Sequence, residues 1–160
     1  GNLTDQEWKS FPMPKRCGTN VLELKPEYKV ELASWENLEA FEPYCKTTEL
    51  FNVTGHGKNP AFSGNIRYKA TIQLTAEQAK GILDLGVVGQ TAQVWLNGKD
   101  LGLRICPPYQ FNLAGAAKSG ENKLEILVAN TLANKVRDRF SFFVQLTPSG
   151  LMGPVEVRSR

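Results

Sequence analysis

The feature that most constrains the fold is an unbroken two-residue alternation of apolar and polar side chains from Ile66 to Leu74. Successive side chains of an extended strand point to opposite faces of a sheet, so one face of this segment is apolar and the other is polar. The segment is therefore predicted to be a β-strand with one buried face.

The same period returns along the chain and predicts an all-β fold. Three further clear segments lie at 92–96, 124–128 and 140–146, and shorter candidates lie at 28–32, 83–85, 101–105 and 155–157. About eight strands at this spacing are typical of an antiparallel β-sandwich or barrel. We expect a sandwich of jelly-roll type.

Turn residues support that arrangement. Asn97-Gly98 between two apolar runs predicts a tight hairpin, because both residues tolerate positive φ, and Ser119–Asn122 predicts a second tight turn. Thr75–Gln78 has the form of a capping box, but Gly81 follows closely, so only a short helical turn is expected there. Trp35, Leu38 and Phe41 are spaced for another. The stretch from 51 to 62 is predicted to be a long loop between the sheets.

Composition sets the class of protein. The 160 residues suit one domain, residues 1–160, with residues 1–20 expected as an extended lead-in. No apolar run is long enough to span a membrane. The net charge of +3 comes from scattered basic residues, which disfavours nucleic-acid binding. Cys17, Cys45 and Cys106 have no metal-ligand spacing, and how they pair is left open.

Several motifs in order resemble the galactose-binding-domain-like jelly roll that accompanies glycoside hydrolases of the β-galactosidase/β-glucuronidase and α-L-rhamnosidase types. The resemblance covers roughly residues 60 to 158. It is carried by Phe62–Tyr68, Leu83–Gly86, Val94–Gly102, Pro107–Tyr109, Gly120–Leu124 and Ser149–Val155.

The resemblance implies a larger parent protein. Such domains accompany a catalytic barrel in large exported bacterial enzymes, so the expected partner is the catalytic domain of the parent and the expected location is periplasmic or extracellular. The start at Gly1 without a signal peptide suggests a processed chain or an excised piece, and the end at Gly-Pro-Val-Glu-Val suggests that the domain closes its parent chain.

Catalysis by this chain alone is not expected. A glycosidase needs two carboxylates roughly 5 to 10 Å apart, one with a raised pKa, and no acidic residue stands in such a motif. His56 lies in a glycine-flanked loop and has no nucleophile motif nearby. No cofactor and no zinc site are predicted. Structural calcium is compatible with the resemblance, but spacing nominates no ligands.

Carbohydrate binding has four candidate residues, because sugars stack their apolar faces on aromatic rings and offer hydroxyls to planar polar groups. Trp95 faces away from the apolar side of its strand and either covers the outside of a sheet or lines a concave face. Trp35 follows a strand, Arg104 faces opposite Leu103, and Tyr109 is near it in sequence. For each, packing or a plain surface role competes with ligand binding.

Three functions follow for testing. The first is a non-catalytic accessory domain that packs on the catalytic domain of a glycoside hydrolase; an exposed apolar patch on one sheet that includes Trp95 or Phe143 would support it. The second is an autonomous module that tethers an enzyme to oligo- or polysaccharide. The third is a free-standing enzyme.

Overall fold

The computed structural model describes residues 20–53, 64–89, 91–130 and 150–159. Twelve strands and one short 3-10 helix lie in this part of the chain. The strands are β1 (Asn20–Glu23), β2 (Tyr28–Ser34), β3 (Glu42–Thr47), β4 (Gly64–Leu74), β5 (Ile82–Asp84), β6 (Val87–Val88), β7 (Thr91–Leu96), β8 (Lys99–Arg104), β9 (Gln110–Asn112), β10 (Gly120–Asn130), β11 (Leu151–Gly153) and β12 (Glu156–Ser159); the 3-10 helix is Gln78–Lys80.

The larger sheet has six strands in the order β3-β2-β4-β10-β7-β8, and every neighbouring pair is antiparallel. Its two central strands are β4 and β10, which pair along the whole length of β10, and β7 pairs with the other side of β10. The alternation predicted for 66–74 is confirmed, because Ile66, Tyr68 and Ile72 are buried. Arg67 and Lys69 lie on the opposite face.

A second sheet closes the sandwich. It has four strands in the order β1-β12-β5-β9, and β6 and β11 form a separate two-stranded ribbon. One cluster of buried side chains joins the sheets: Val94 and Ile126 come from the larger one, and Leu83, Phe111 and Val157 from the smaller one. The predicted all-β antiparallel sandwich is thus confirmed.

The Asn97-Gly98 hairpin joins β7 to β8, as predicted. Asn97 and Gly98 have φ values of 52° and 83°, the pair of positive angles that a type I′ turn requires. The Asn97 amide also ties the hairpin to β10: its Nδ2 donates to the Ala116 carbonyl, and its Oδ1 accepts from the Lys123 N–H at 2.9 Å.

Asn122 is the polar residue at the centre of this joint, with 0% of its surface exposed. Its Nδ2 donates to the carbonyls of Lys118 and Gly120, and its Oδ1 accepts from the Lys118 N–H and from Asn97 Nδ2. All the hydrogen-bonding capacity of the buried amide is thereby used. The predicted turn at 119–122 is held by this one side chain.

One of the two predicted helical turns forms a helix. Thr75 N donates to Gln78 Oε1 at 2.9 Å and Gln78 N donates to Thr75 Oγ1 at 3.2 Å, which is the reciprocal pattern of a capping box. The segment after Trp35 instead makes two separate turns, closed by Asn37 N to Ser34 O and by Ala40 N to Asn37 O. Asn37 Oδ1 accepts from Glu39 N and favours a turn over a helix.

The structure has more strands than the predicted eight or so. The additional ones are β1, β3, β6, β9 and β11. Three of them have only two or three residues, too few for an alternation to be visible. The predicted strand at 140–146 and most of the predicted loop at 51–62 lie outside the described residues.

Strand β8 departs from the usual rule that the apolar face is buried. Leu103 and Ile105 are 54% and 72% exposed. Arg104 points the other way, with its guanidinium carbon 5.0 Å from the centre of the buried Phe111 ring. In the described part of the chain β8 is the outermost strand of its sheet. In β8 Leu103 thus faces outward, whereas Leu101, at the β-bulge of this strand, packs against the core.

Two of the three cysteines lie in the described part of the chain. Cys45 is half-buried in β3 and Cys106 is exposed, and no disulfide joins these two residues. Cys17, His56 and Phe143 lie outside the described residues.

Candidate functional site

The solvent-facing side of the six-stranded sheet carries a continuous row of side chains. Strand pairing aligns Lys46 of β3, Lys29 of β2, Lys69 of β4, Glu125 of β10 and Trp95 of β7, in that order. Paired residues on the same face of a sheet lie side by side. The row crosses five strands, or about 19 Å at ordinary strand spacing.

A groove of about 600 Å³ follows this row, and we name it the outer groove. Its volume is within the range of about 300–1,000 Å³ usual for ligand sites. The side chains that define it are four lysines, two glutamates, a threonine and a tryptophan: Lys29, Lys46, Lys69, Lys123, Glu27, Glu125, Thr71 and Trp95.

An ion-pair network stiffens the row beside the groove. Glu31 receives two parallel hydrogen bonds from Arg67, from Nε and Nη2, each at 3.2 Å. Lys69 Nζ lies 3.6 Å from Glu31 and 3.9 Å from Glu125. Arg67 also stacks over the Phe41 ring at 3.9 Å. The hydrogen bonds from Arg67 hold the pKa of the Glu31 carboxyl below its ordinary value.

Trp95 lies in the outer groove. Its neighbours Val94 and Leu96 are fully buried, so the alternation of β7 turns the indole outward, where it is half-buried. Of the two orientations considered for Trp95, the structure has it on the outside of the larger sheet and in a concave part of that surface.

Trp35 lies at the opposite end of the same sheet, in the turn that follows β2, and 42% of it is exposed. Trp95 is aligned across the sheet with Lys29 near the start of β2, whereas Trp35 follows the last residue of β2. The two tryptophans therefore do not share a site.

Arg104 and Tyr109 are directed toward the interior. The Arg104 guanidinium lies over Phe111, and its Nη1 donates to the Leu103 carbonyl at 3.1 Å. Tyr109 is 5% exposed and belongs to the core cluster. Burial raises the pKa of the Tyr109 phenol. The structure thus does not bring the four candidate residues together.

Sequence reasoning did not single out the lysines of the outer groove. Lys29, Lys46 and Lys69 are separated by more than fifteen positions from one another, and only the pairing register makes them neighbours. Each of these lysines does occupy a position that alternation predicts to face solvent. That pattern could identify a shared site only once the strand order was known.

In the described ranges no group of three or more His, Cys, Asp or Glu residues is arranged to hold a metal ion. The same part of the chain has no helix with the length and apolar character needed to cross a bilayer.

The chain is similar to parts of known glycoside hydrolases. It is 38% identical over 79 residues to a protein of Formosa agariphila named "Putative beta-glucuronidase", a match that covers 47% of this chain and 7% of that protein. A solved rhamnosidase from Novosphingobium sp. PP1Y is 28% identical, with a TM-score of 0.73, over 89% of this chain and 15% of that one. No protein-family model matches.

More distant structures share the fold. A β-glucuronidase from an uncultured Clostridium sp. matches 88% of this chain and 29% of its own, at 17% identity and a TM-score of 0.61. A β-glucuronidase from Ruminococcus gnavus matches at 19% identity and a TM-score of 0.63. The predicted resemblance to domains of these glycoside hydrolases is confirmed, and the chain spans a small fraction of each of these proteins.

Proposed function

We propose that the chain is a non-catalytic β-sandwich domain of a larger glycoside hydrolase, and that it packs against the catalytic domain of that enzyme. The observation that carries this proposal is the match to 15% of the Novosphingobium rhamnosidase at 28% identity, across 89% of this chain. A segment of that size is on the scale of one domain of a multidomain enzyme. The proposal includes no cofactor, and it locates the parent enzyme in the periplasm or outside the cell.

The surface that we assign to the contact is the edge formed by β8. Leu103 of this outermost strand and Ile105, which directly follows its last residue, are both more than half exposed. Cys106 and the two prolines after it continue the exposed segment. Apolar side chains on an open strand edge gain free energy when another surface covers them, at about 25 cal/mol per Å² buried.

The open reading frame that encodes the chain is the first test. A catalytic barrel in the same reading frame is expected, and a reading frame limited to this domain would overturn the proposal. The chain alone is expected to leave aryl glycosides uncleaved in an activity screen, and turnover by the purified chain would show instead that it is a free-standing enzyme.

Charged substitutions on β8 test the docking edge. The Leu103→Lys/Ile105→Lys variant is expected to leave the melting temperature of the isolated chain nearly unchanged, since both side chains are already exposed. In the parent enzyme it is expected to lower the melting temperature and expose the interdomain boundary to protease. Val21→Lys is the matched control, because Val21 is also 54% exposed but lies on the four-stranded sheet. Equal behaviour of the two variants in the parent would contradict docking through β8.

An autonomous carbohydrate-binding module is the second candidate. The observation in its favour is the outer groove, which combines a half-buried Trp95 with polar side chains on a rigid sheet. Titration of the isolated chain separates the two functions, because a purely structural domain shows no saturable binding to polysaccharide.

A further inference from the structure

We propose that the outer groove binds an acidic oligosaccharide, with one sugar ring stacked on Trp95 and its carboxylate or sulfate groups beside the lysines. This inference does not depend on the β8 contact, because it rests on Trp95 and the groove lysines and uses neither Leu103 nor Ile105. It specifies both a site and a class of ligand.

The charge of the groove selects an anion. Four lysines line it against two glutamates. Lys69 is shared between Glu31 and Glu125. Within the described ranges Lys29, Lys46 and Lys123 form no ion pair. Their ammonium groups can therefore pair with groups on a ligand without first breaking a contact to the sheet.

The position of Trp95 selects a ring. The tryptophan stands at one end of the lysine row and next to Gly98, which also lines the groove. A Cβ built on Gly98 would meet no atom within 4 Å, so the groove is open at the hairpin. A sugar can reach the indole from that side and stack its C–H face on it. The neighbouring sugar units then lie over the lysines of the row, Lys69, Lys29 and Lys46.

The concave shape favours an oligosaccharide over an acidic segment of another protein. Protein interfaces of useful affinity cover about 800 Å² on each partner and are broad. The outer groove is lined by eleven residues, fewer than the roughly 20–30 that each side of such an interface engages, and it includes an aromatic ring. The ion-pair network beside it keeps Lys69 and Glu125 in place before any ligand arrives, which lowers the ordering cost of binding.

Calorimetric titration of the 160-residue chain tests the proposal. The probes are oligogalacturonate for carboxylates, sulfated dextran fragments for sulfates, methyl-esterified oligogalacturonate as the neutral match, and polyglutamate as an acidic polypeptide. Saturable binding is expected for at least one acidic saccharide, and it should weaken as salt is added. The neutral saccharide and polyglutamate are expected to bind at least roughly tenfold more weakly.

Variants separate the ring from the charges. Trp95→Ala is expected to weaken binding roughly tenfold, with Trp95→Phe in between. The Lys29→Gln/Lys46→Gln variant is expected to weaken it roughly fivefold and to reduce its salt dependence. Lys80→Gln is the matched control, since Lys80 is exposed on the 3-10 helix beside β12. Melting curves confirm that each variant is folded, and the lysine pair tests the site even where Trp95→Ala is unstable.

Three results would overturn the proposal. One is the absence of binding to both acidic saccharides. Another is binding that neither Trp95→Phe nor the lysine pair changes. The third is tighter binding of polyglutamate than of either saccharide, which would assign the groove to an acidic protein segment. None of these results bears on the β8 edge, so failure here is distinguishable from failure of the proposed docking.

Discussion

Two tyrosines buried side by side differ in one hydrogen bond. Tyr28 and Tyr68 meet edge to face with ring centres 6.1 Å apart. The Tyr68 hydroxyl accepts from the Leu151 N–H at 2.9 Å and so ties β4 to β11. The Tyr28 hydroxyl is buried and has no hydrogen-bond partner among the described residues. Burial raises the pKa of both phenols, so both stay neutral at physiological pH.

The two tyrosines should therefore respond oppositely to loss of the hydroxyl. Tyr28→Phe removes a buried polar group that gains nothing from folding, so the free energy of unfolding should stay the same or rise by up to about 1 kcal/mol. Tyr68→Phe leaves the Leu151 N–H unpaired and should lower the free energy of unfolding by about 1–2 kcal/mol. Urea unfolding of the two variants is the measurement. A destabilised Tyr28→Phe variant would mean that its hydroxyl has a partner.

Asn122 should be among the least replaceable polar residues of the chain. Asn122→Ala leaves the carbonyls of Lys118 and Gly120, the Lys118 N–H and Asn97 Nδ2 without this partner. We expect a loss of about 2–4 kcal/mol in the free energy of unfolding. Asn112→Ala is the control. Asn112 Oδ1 accepts one exposed hydrogen bond, from the Ala114 N–H at 3.0 Å, so this substitution should lower the free energy of unfolding by about 1 kcal/mol or less. Equal costs would contradict the assigned role of Asn122.

Strands β2, β4 and β10 are joined on their outer face by charge. Glu31, Arg67, Lys69 and Glu125 alternate in sign across these three strands. The Glu31 side chain is the least exposed of the four, at 14%. Because the pKa of Glu31 is lower in the folded state than its ordinary value of 4.5, its contribution to stability is present above about pH 4.5. That contribution is lost as the pH falls through the lowered value.

Glu31→Gln tests this charge network. At pH 7 we expect the variant to lose about 1 kcal/mol in the free energy of unfolding, because the ionised carboxylate is replaced by a weaker acceptor. The difference from the unchanged chain should shrink as the pH falls below 4.5. Glu23→Gln is the control, since its 3.9 Å contact with Lys25 is exposed, and should change stability by less than about 0.5 kcal/mol. A Glu31→Gln deficit that stays constant from pH 7 to pH 2 would contradict the pKa assignment.

The elements differ in how much of them the sequence could predict. The long strands β4, β7 and β10 each bury several residues of one parity, so their alternation is visible without a structure. The hairpin was also predictable, since Asn97-Gly98 supplies both positive φ angles. β6 and β9 were not, because two or three residues contain no measurable period. Their extended shape comes from pairing with β11 and β5.

The candidate site was less predictable than the fold. Outward parity was enough to place Trp95 on the outside of its strand. The sequence correctly predicted that Arg104 and Leu103 face opposite sides of β8. It did not predict that Arg104 faces inward, because that depends on contact with Phe111 of the other sheet. Tyr109 is buried by contacts with the core cluster, and no alternation in the neighbouring sequence predicts those contacts. The lysine row depends on strand order, a property of the whole sheet.

At the scale of the whole molecule, the lysine end of the outer groove should act independently of the β8 edge. Lys46 lies on β3 and Lys29 on β2, whereas β8 is the opposite edge of the same sheet. Substitutions more than about 10 Å apart usually have additive effects. We therefore expect the lysine pair to leave the parent enzyme's melting temperature unchanged. A lower melting temperature would mean that the outer groove also contacts the catalytic domain.

The alternation of β4, β7 and β10 also bears on how such a domain can evolve. Each strand turns every second residue toward the core and the residues between them toward the outer face, where Lys69, Trp95 and Glu125 line the outer groove. Point mutations can therefore alter the groove, and with it any ligand preference, while the buried set stays intact. A one-residue insertion within a strand would exchange the two sets of side chains. Natural variation in these strands should accordingly proceed by substitution, with changes in length restricted to the connections between them.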